Sequence, residues 1–245
     1  MHSPDEVALV LQLLDQGLNH CEIARRTGIN RGTVRDWAAG RTPRFDRRSA
    51  TCLVCRCEPL ALPQAPYTYL LGLYLGDGYI ASHARGVYRL RICCADAYPD
   101  LIRRCEKAMA EVLPTNKVSR VPHQGCTEVA AFSKHWPCLF PQHGPGRKHT
   151  RRIELADWQQ ALVDLNPRPL LAGLLHSDGC RVLNWVNGTP YPRYHFTNVS
   201  ADIRAIFGGA CDALGIAWRP HNDHSLSVAR RGSVALLDEF VGPKR

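Results

Sequence analysis

Apolar residues recur at two periods along this chain, and the change of period divides it. Over residues 4–16, Val7, Val10, Leu11 and Leu14 fall at helical spacing, and Gly17 follows as a helix stop. A second helix is predicted over about 19–27, with Ile23 and Ala24 inward, and Gly28 makes a tight turn after it. Asn30 caps a third, running through Val34 and Trp37 to about Gly40. Further on, wholly apolar helices alternate with strand patterns. Strands are predicted over 79–82 and 87–93, a helix over 96–113, strands over 117–122 and 127–132, and a short helix from Ser133. A helical connector over 151–166 follows. The succession then repeats: strands 180–186 and 193–199, helix 201–214, strands 217–221 and 225–229, and a last helix through Leu236 and Phe240. Residues 88–96 and 194–202 align without a gap, both opening on Tyr and closing on Ala-Asp.

The repeat is sharpest in two apolar segments, Leu70-Leu71-Gly72-Leu73-Tyr74-Leu75-Gly76-Asp77-Gly78 and Leu171-Ala172-Gly173-Leu174-Leu175-His176-Ser177-Asp178-Gly179. Each carries small residues four apart, Gly72 with Gly76 and Gly173 with Ser177, which lie on one helix face and let two backbones meet. Each ends in Asp-Gly, where a left-handed glycine would stop the helix. If the helices pack in parallel, Asp77 and Asp178 meet at one end. Two adjacent carboxylates repel unless a cation joins them, and the negative ends of both helix dipoles add to that attraction. Oxygen ligands of this kind suit a hard divalent ion.

Both segments resemble the signature of the LAGLIDADG homing endonucleases, the second almost literally, and two copies in one chain resemble the monomeric, pseudo-symmetric members. The resemblance implies an α+β fold of two αββαββα halves with internal pseudo-two-fold symmetry. It implies double-stranded DNA as partner, Mg2+ or another divalent cation held by Asp77 and Asp178, and phosphodiester cleavage. Basic residues near such a site neutralise developing charge; Lys134 is the candidate in the first half and Arg230 or Arg231 in the second. Family sheets lie along the major groove. Arg89 and Arg91 alternate with Tyr88, Leu90 and Ile92, and Arg193, His195 and Thr197 with Tyr194 and Phe196, so each set offers one polar face. Lys117, Arg120, Arg219 and His221 extend that surface.

Residues 22–35, EIARRTGINRGTVR, resemble the helix-turn-helix family, with Arg31, Thr33 and Arg35 outward for phosphates and base edges. This small all-α domain is expected over 1–41, a basic, cysteine-rich linker over 42–65, the first LAGLIDADG repeat over 66–150, the connector over 151–166 and the second repeat over 167–245. A reader placed ahead of the core also resembles transcription regulators that reuse the fold without cutting.

Composition bears on the partner. Thirty-one Lys and Arg against 22 Asp and Glu leave a net charge of +9, which favours a polyanion. The linker adds Arg41, Arg44, Arg47 and Arg48 around Pro43, a run able to track phosphates. The spacing of Cys52, Cys55 and Cys57 is part of a zinc knuckle that lacks an evident fourth ligand. Other cysteines sit in amphipathic patterns as small apolar residues. With no signal-peptide pattern and no apolar run of membrane-spanning length, a reducing cytoplasmic location is expected, nucleoid-associated when on DNA, for a monomer without a membrane partner.

Overall fold

The computed structural model describes residues 2–42, 52–55, 57–242 and 244. The expected phosphate-tracking residues Pro43, Arg44, Arg47 and Arg48 lie outside the described residues. The chain forms two compact units that divide between Cys52 and Leu53.

The first unit is helical: α1 (Pro4–Asp15), α2 (His20–Thr27) and α3 (Arg31–Ala38). Each helix has a sequence-encoded start. Ser3 and Glu6 form a reciprocal capping box, Asn19 accepts from the Cys21 and Glu22 amides, and Asn30 accepts from Gly32. Gly28 takes a left-handed φ of 71° at the end of α2, a conformation that costs glycine little. Val7, Val10, Ile23, Ile29, Val34 and Trp37 close a separate small core, with Leu13 and Leu14 packed against it. Leu11, expected inward, is exposed instead.

The second unit holds α4 (Gln64–Gly76), β1 (Gly78–His83), β2 (Val87–Ala95), α5 (Pro99–Val112), β3 (Val118–His123), β4 (Cys126–Ser133) and α6 (Trp136–Leu139). Then come α7 (Asp157–Leu165), α8 (Pro167–Asp178), β5 (Gly179–Val186), β6 (Thr189–Thr197), α9 (Ala201–Ala213), β7 (Arg219–Asn222), β8 (Ser225–Val228) and α10 (Arg231–Phe240). Two antiparallel four-stranded sheets share one topology among the described residues, β1-β2-β4-β3 and β5-β6-β8-β7. The connector is helical only from Asp157, and α5 starts at Pro99, where the ring pre-sets a first-turn φ.

At the centre, α4 is buried at every position from Tyr67 to Leu75 and α8 from Leu170 to His176. A helix apolar all round has no solvent face and belongs inside. The small residues make the seam between them. A Cβ on Gly72 would lie 2.5 Å from the Leu170 carbonyl oxygen, and one on Gly173 2.2 Å from that of Tyr69. A Cβ on Gly76 would run into Ser177. The pairings rise together along both helices, so the helices are parallel. Ser177 satisfies its own hydroxyl inside the seam by donating to Gly173 O and Leu174 O at 3.1 and 3.0 Å.

Two expectations are corrected. Gly179 is extended (φ −104°, ψ 160°), and Gly78 is not among the left-handed glycines. Close approach is what requires them: a Cβ would stand 2.5 Å from Tyr74 Cα at Gly78 and 2.6 Å from Leu175 Cα at Gly179. The gap-free alignment of residues 88–96 with 194–202 is also out of register. Gly78 pairs with Ile92 and Gly179 with Phe196, so Ile92 corresponds to Phe196 rather than to Asn198. A slide of two residues preserves strand alternation, so the pattern of apolar positions is blind to it.

Candidate metal centre and nucleic-acid interface

Because α4 and α8 run parallel with touching backbones, their last residues arrive side by side. Asp77 is the C-cap of α4, and Asp178 is the last residue of α8. A Cβ on Gly76 would come within 3.0 Å of Asp178 Oδ2, so this carboxylate leans across the seam. Burial against the helix ends and then the charge of Asp178 push Asp77 up to about 6. Asp77 is nonetheless exposed to solvent, which tempers the effect of burial. Asp178 is half-buried and is raised by burial, while the side-chain hydrogen bond from Asn198 opposes the rise.

The two acids are held differently. Asn198 Nδ2 donates to Asp178 Oδ2 at 2.6 Å, and Asn198 Oδ1 accepts from the Ser200 amide at 2.8 Å. In the register set by the strands, Cys94 takes this place in the first half. It is buried and offers Asp77 no comparable donor.

Two lysines serve both acids. Lys148 Nζ donates to the carbonyls of Tyr74, Leu75 and Gly76 at 2.5, 2.9 and 2.6 Å, capping the negative end of α4 with its three hydrogens. Burial lowers it to about 8, against the pull of Asp178 and Asp77. Lys244 Nζ donates to Ser177 O at 3.4 Å, at the end of α8. Burial lowers it also, again opposed first by Asp77. The sequence pointed elsewhere: Lys134 stands beside His135, and Arg231 opens α10. Neither is among the charges acting on Asp77 or Asp178. Lys148 and Lys244 lie far along the chain from the aspartates and in no motif, so only the fold brings them in.

His176, inside the second motif, is a satisfied core residue. Its Nε2 donates to Val241 O at 2.9 Å, which leaves Nδ1 to accept from the Tyr69 hydroxyl at 3.0 Å. Burial pushes it down to about 4, so it is neutral.

Both sheets turn one polar face outward. In β2, Leu90, Ile92 and Cys94 are buried, while Arg91 is exposed and Arg89 half-buried. Glu128, on the neighbouring strand and buried at 6% exposure, holds both guanidiniums: Arg89 pairs with it, and Arg91 Nη1 lies 3.4 Å from it. Arg91 stacks over Tyr79 and Arg89 over Phe132. Glu128 is a pre-organising residue the sequence did not advertise. In β6, Tyr194 and Phe196 are buried, while Arg193 and His195 are half-buried and Thr197 exposed. His195 and His221 have ring centroids 4.8 Å apart, and Thr197 shares a 2.7 Å hydrogen bond with Ser225. Arg193 lines one depression with Arg219, His221 and Arg230. Its Nε is buried without a partner among the described residues, a donor suited to an oxygen-rich ligand. Arg120 departs from expectation: it sits across from core-facing Val129 and binds Glu106 of α5, so it leaves the polar face. Lys117 and Arg219 are exposed. In the helical unit, Arg31 and Arg35 are exposed on α3 and Thr33 is half-buried.

The cysteine-rich segment has a different set of neighbours from those expected. Cys52 and Cys55 lie with His135 and Cys138, whereas Cys57 is exposed and outside that cluster.

Residues 1–41 match the family model of a homeodomain-like domain. No curated protein matches the sequence. Among solved structures, I-DmoI in complex with DNA and Mn has a TM-score of 0.50 at 16% identity, over 74% of this chain and 98% of its own. The larger unit has the LAGLIDADG fold. A variant of the homing endonuclease I-DmoI with its target DNA and Mg gives 0.50 at 15% identity, over 74% and 97%. The N-terminal LAGLIDADG domain of DUF199/WhiA gives 0.46 at 14% identity, over 83% and 93%. At such identities the likeness fixes the fold, and the activity rests on the residues of this LAGLIDADG unit. Among the described residues, no helix is long and apolar enough to cross a membrane.

Proposed function

We propose that this protein binds double-stranded DNA at a specific sequence and that its LAGLIDADG unit cuts both strands with the help of a divalent cation. The observation that carries the reading is the delivery of Asp77 and Asp178 to one spot by two helices in backbone contact, with Lys148 and Lys244 beside them. Two carboxylates close enough for the charge of Asp178 to raise the proton affinity of Asp77 are a hard-oxygen donor pair, and Mg2+ or Mn2+ fits that donor chemistry. Asp77 and Asp178 would hold the ion, which when bound supplies positive charge against the charge developing on a scissile phosphate.

The chain's own groups do the rest. Asn198 fixes the rotation of Asp178. Lys148 and Lys244 keep positive charge at the helix ends, where two carboxylates and two dipoles would otherwise repel a phosphodiester. Arg89 and Arg91 on one sheet, and Arg193, His195 and Thr197 on the other, present donors to phosphates and base edges. I-DmoI is bound to DNA with Mn or Mg in the structures this unit resembles.

A second reading rests on the helical unit, whose α3 presents Arg31 and Arg35 to solvent. With that reader, the protein would act as a transcription regulator that binds through the same surfaces and does not cut. Incubation of a randomised plasmid library with the protein and Mg2+ separates the two. Specific double-strand breaks, abolished by Asp77→Asn or Asp178→Asn, establish the endonuclease. Specific retention of DNA without breaks, unchanged in either variant, establishes the regulator.

A further inference from the structure

We infer that Cys52, Cys55, His135 and Cys138 form a structural zinc site that ties the cysteine-bearing turn ahead of α4 to α6. Their ligand atoms all lie within 4.8 Å of one another. Cys55 Sγ is 3.4 Å from Cys138 Sγ and 3.9 Å from His135 Nδ1. Donors about 2.3 Å from a tetrahedral centre stand about 3.7 Å apart, which these separations bracket. A disulfide needs sulfurs at about 2.05 Å, well short of the Cys55 to Cys138 separation.

The scaffold is built in two halves with one spacing. Cys52 and Cys55 are three residues apart in a turn, and so are His135 and Cys138 at the first turn of α6, which puts each pair on one side of its element. That second pair stands on a fixed platform. Trp136 Nε1 donates to Ala131 O at 2.9 Å, Tyr67 OH donates to Leu139 O at 2.7 Å, and the His135 amide donates to Ser133 Oγ at 3.1 Å. Three thiolates and an imidazole are a soft donor set that selects Zn2+ over Mg2+, and four protein ligands leave no open position for chemistry. Cys57, the expected third ligand, has a left-handed φ of 59° and stands exposed outside the cluster. The missing donors come from eighty residues downstream, where His-x2-Cys mirrors Cys-x2-Cys. This site is independent of the carboxylate pair and of whether the protein cuts DNA.

The test is metal content of the full-length chain, purified under reducing conditions without added metal, followed by Co2+ replacement. The expected result is about one zinc per chain, and a Co2+ form with thiolate charge-transfer and intense tetrahedral d–d bands. Cys55→Ser and Cys138→Ser lose the metal, and Cys57→Ser keeps it. His135→Cys retains one metal as a four-thiolate site with a stronger charge-transfer band, a readout that does not depend on a variant that unfolds. A reduced wild-type chain with neither zinc nor Co2+ uptake overturns the inference. So does loss of metal in Cys57→Ser with retention in Cys138→Ser, or a Cys55–Cys138 disulfide found by mass spectrometry in protein never exposed to oxidant.

Discussion

Gly173→Ala places one methyl group where the two central helices touch. Its Cβ would lie 2.2 Å from Tyr69 O, and real Cβ atoms stay beyond 3.0 Å, so the helices must part by about 0.8 Å (3.0 − 2.2). The obstacle is backbone, which has no rotamer to escape into. A gap of that size forfeits a quarter to a half of each dispersion contact across the seam, and overpacking of this kind costs about 1–3 kcal/mol or more. Alanine returns about 1 kcal/mol of helix propensity, so the net loss is up to about 2 kcal/mol. Gly209→Ala is the matched control, because Gly209 lies within α9 with nothing inside 4 Å of an added Cβ. It keeps the propensity gain and stabilises by up to ~1 kcal/mol. Urea unfolding of the two variants, followed through the transition of the larger unit, therefore separates them by about 1–3 kcal/mol. Equal stability of Gly173→Ala and Gly209→Ala would refute the seam, and with it the reason Asp77 and Asp178 meet.

Asp77→Asn stabilises the metal-free protein near neutral pH. A carboxyl raised to about 6 favours the folded state only while protonated, so its contribution is full below about pH 4 and is lost as pH rises through about 6. The full shift corresponds to ~3 kcal/mol, and solvent screening of the exposed residue reduces this to ~1 kcal/mol. Melting curves with chelator at pH 4 and pH 7.5 check it: a variant no more stable than wild type at pH 7.5 counts against the pair. Lys148→Met leaves DNA binding within a few-fold and lowers cleavage about a hundredfold, measured as single-turnover rates on bound target; an unchanged rate removes Lys148 from the site. Arg193→Ala weakens binding and makes the slope of log K against log salt shallower by about 0.9, the signature of one lost phosphate contact, read by fluorescence anisotropy at several salt concentrations. An unchanged slope would assign Arg193 to the fold.

Much of the fold was legible because its rules are local. Ser3, Asn19, Gly28 and Asn30 mark the helix ends of the small unit, and the alternation around Leu90 and Phe196 assigns the sheet faces. The small residues of the two apolar helices predicted the seam, and the acids followed from it. What escaped depended on distance in the chain or on degenerate patterns. A shift of two residues in β6 changes no face, so Asn198 was hidden until the strand register placed it against Asp178. Lys148 and Lys244 carry no motif, and position after the fourth strand pointed to Lys134 instead. His135 and Cys138 join Cys52 and Cys55 through tertiary structure alone. Gly78 and Gly179 were read as turn residues because sequence shows glycine but not the backbone it must clear.

Titration of Mn2+ followed by electron paramagnetic resonance, at pH 7.5 on wild type, Asp77→Asn, Asp178→Asn and the double variant, asks most directly whether the two helix ends make one cation centre. A shared centre predicts that either single substitution removes most of the affinity and that the double loses little more. Independent, additive losses, or a single variant that binds as wild type does, would contradict it.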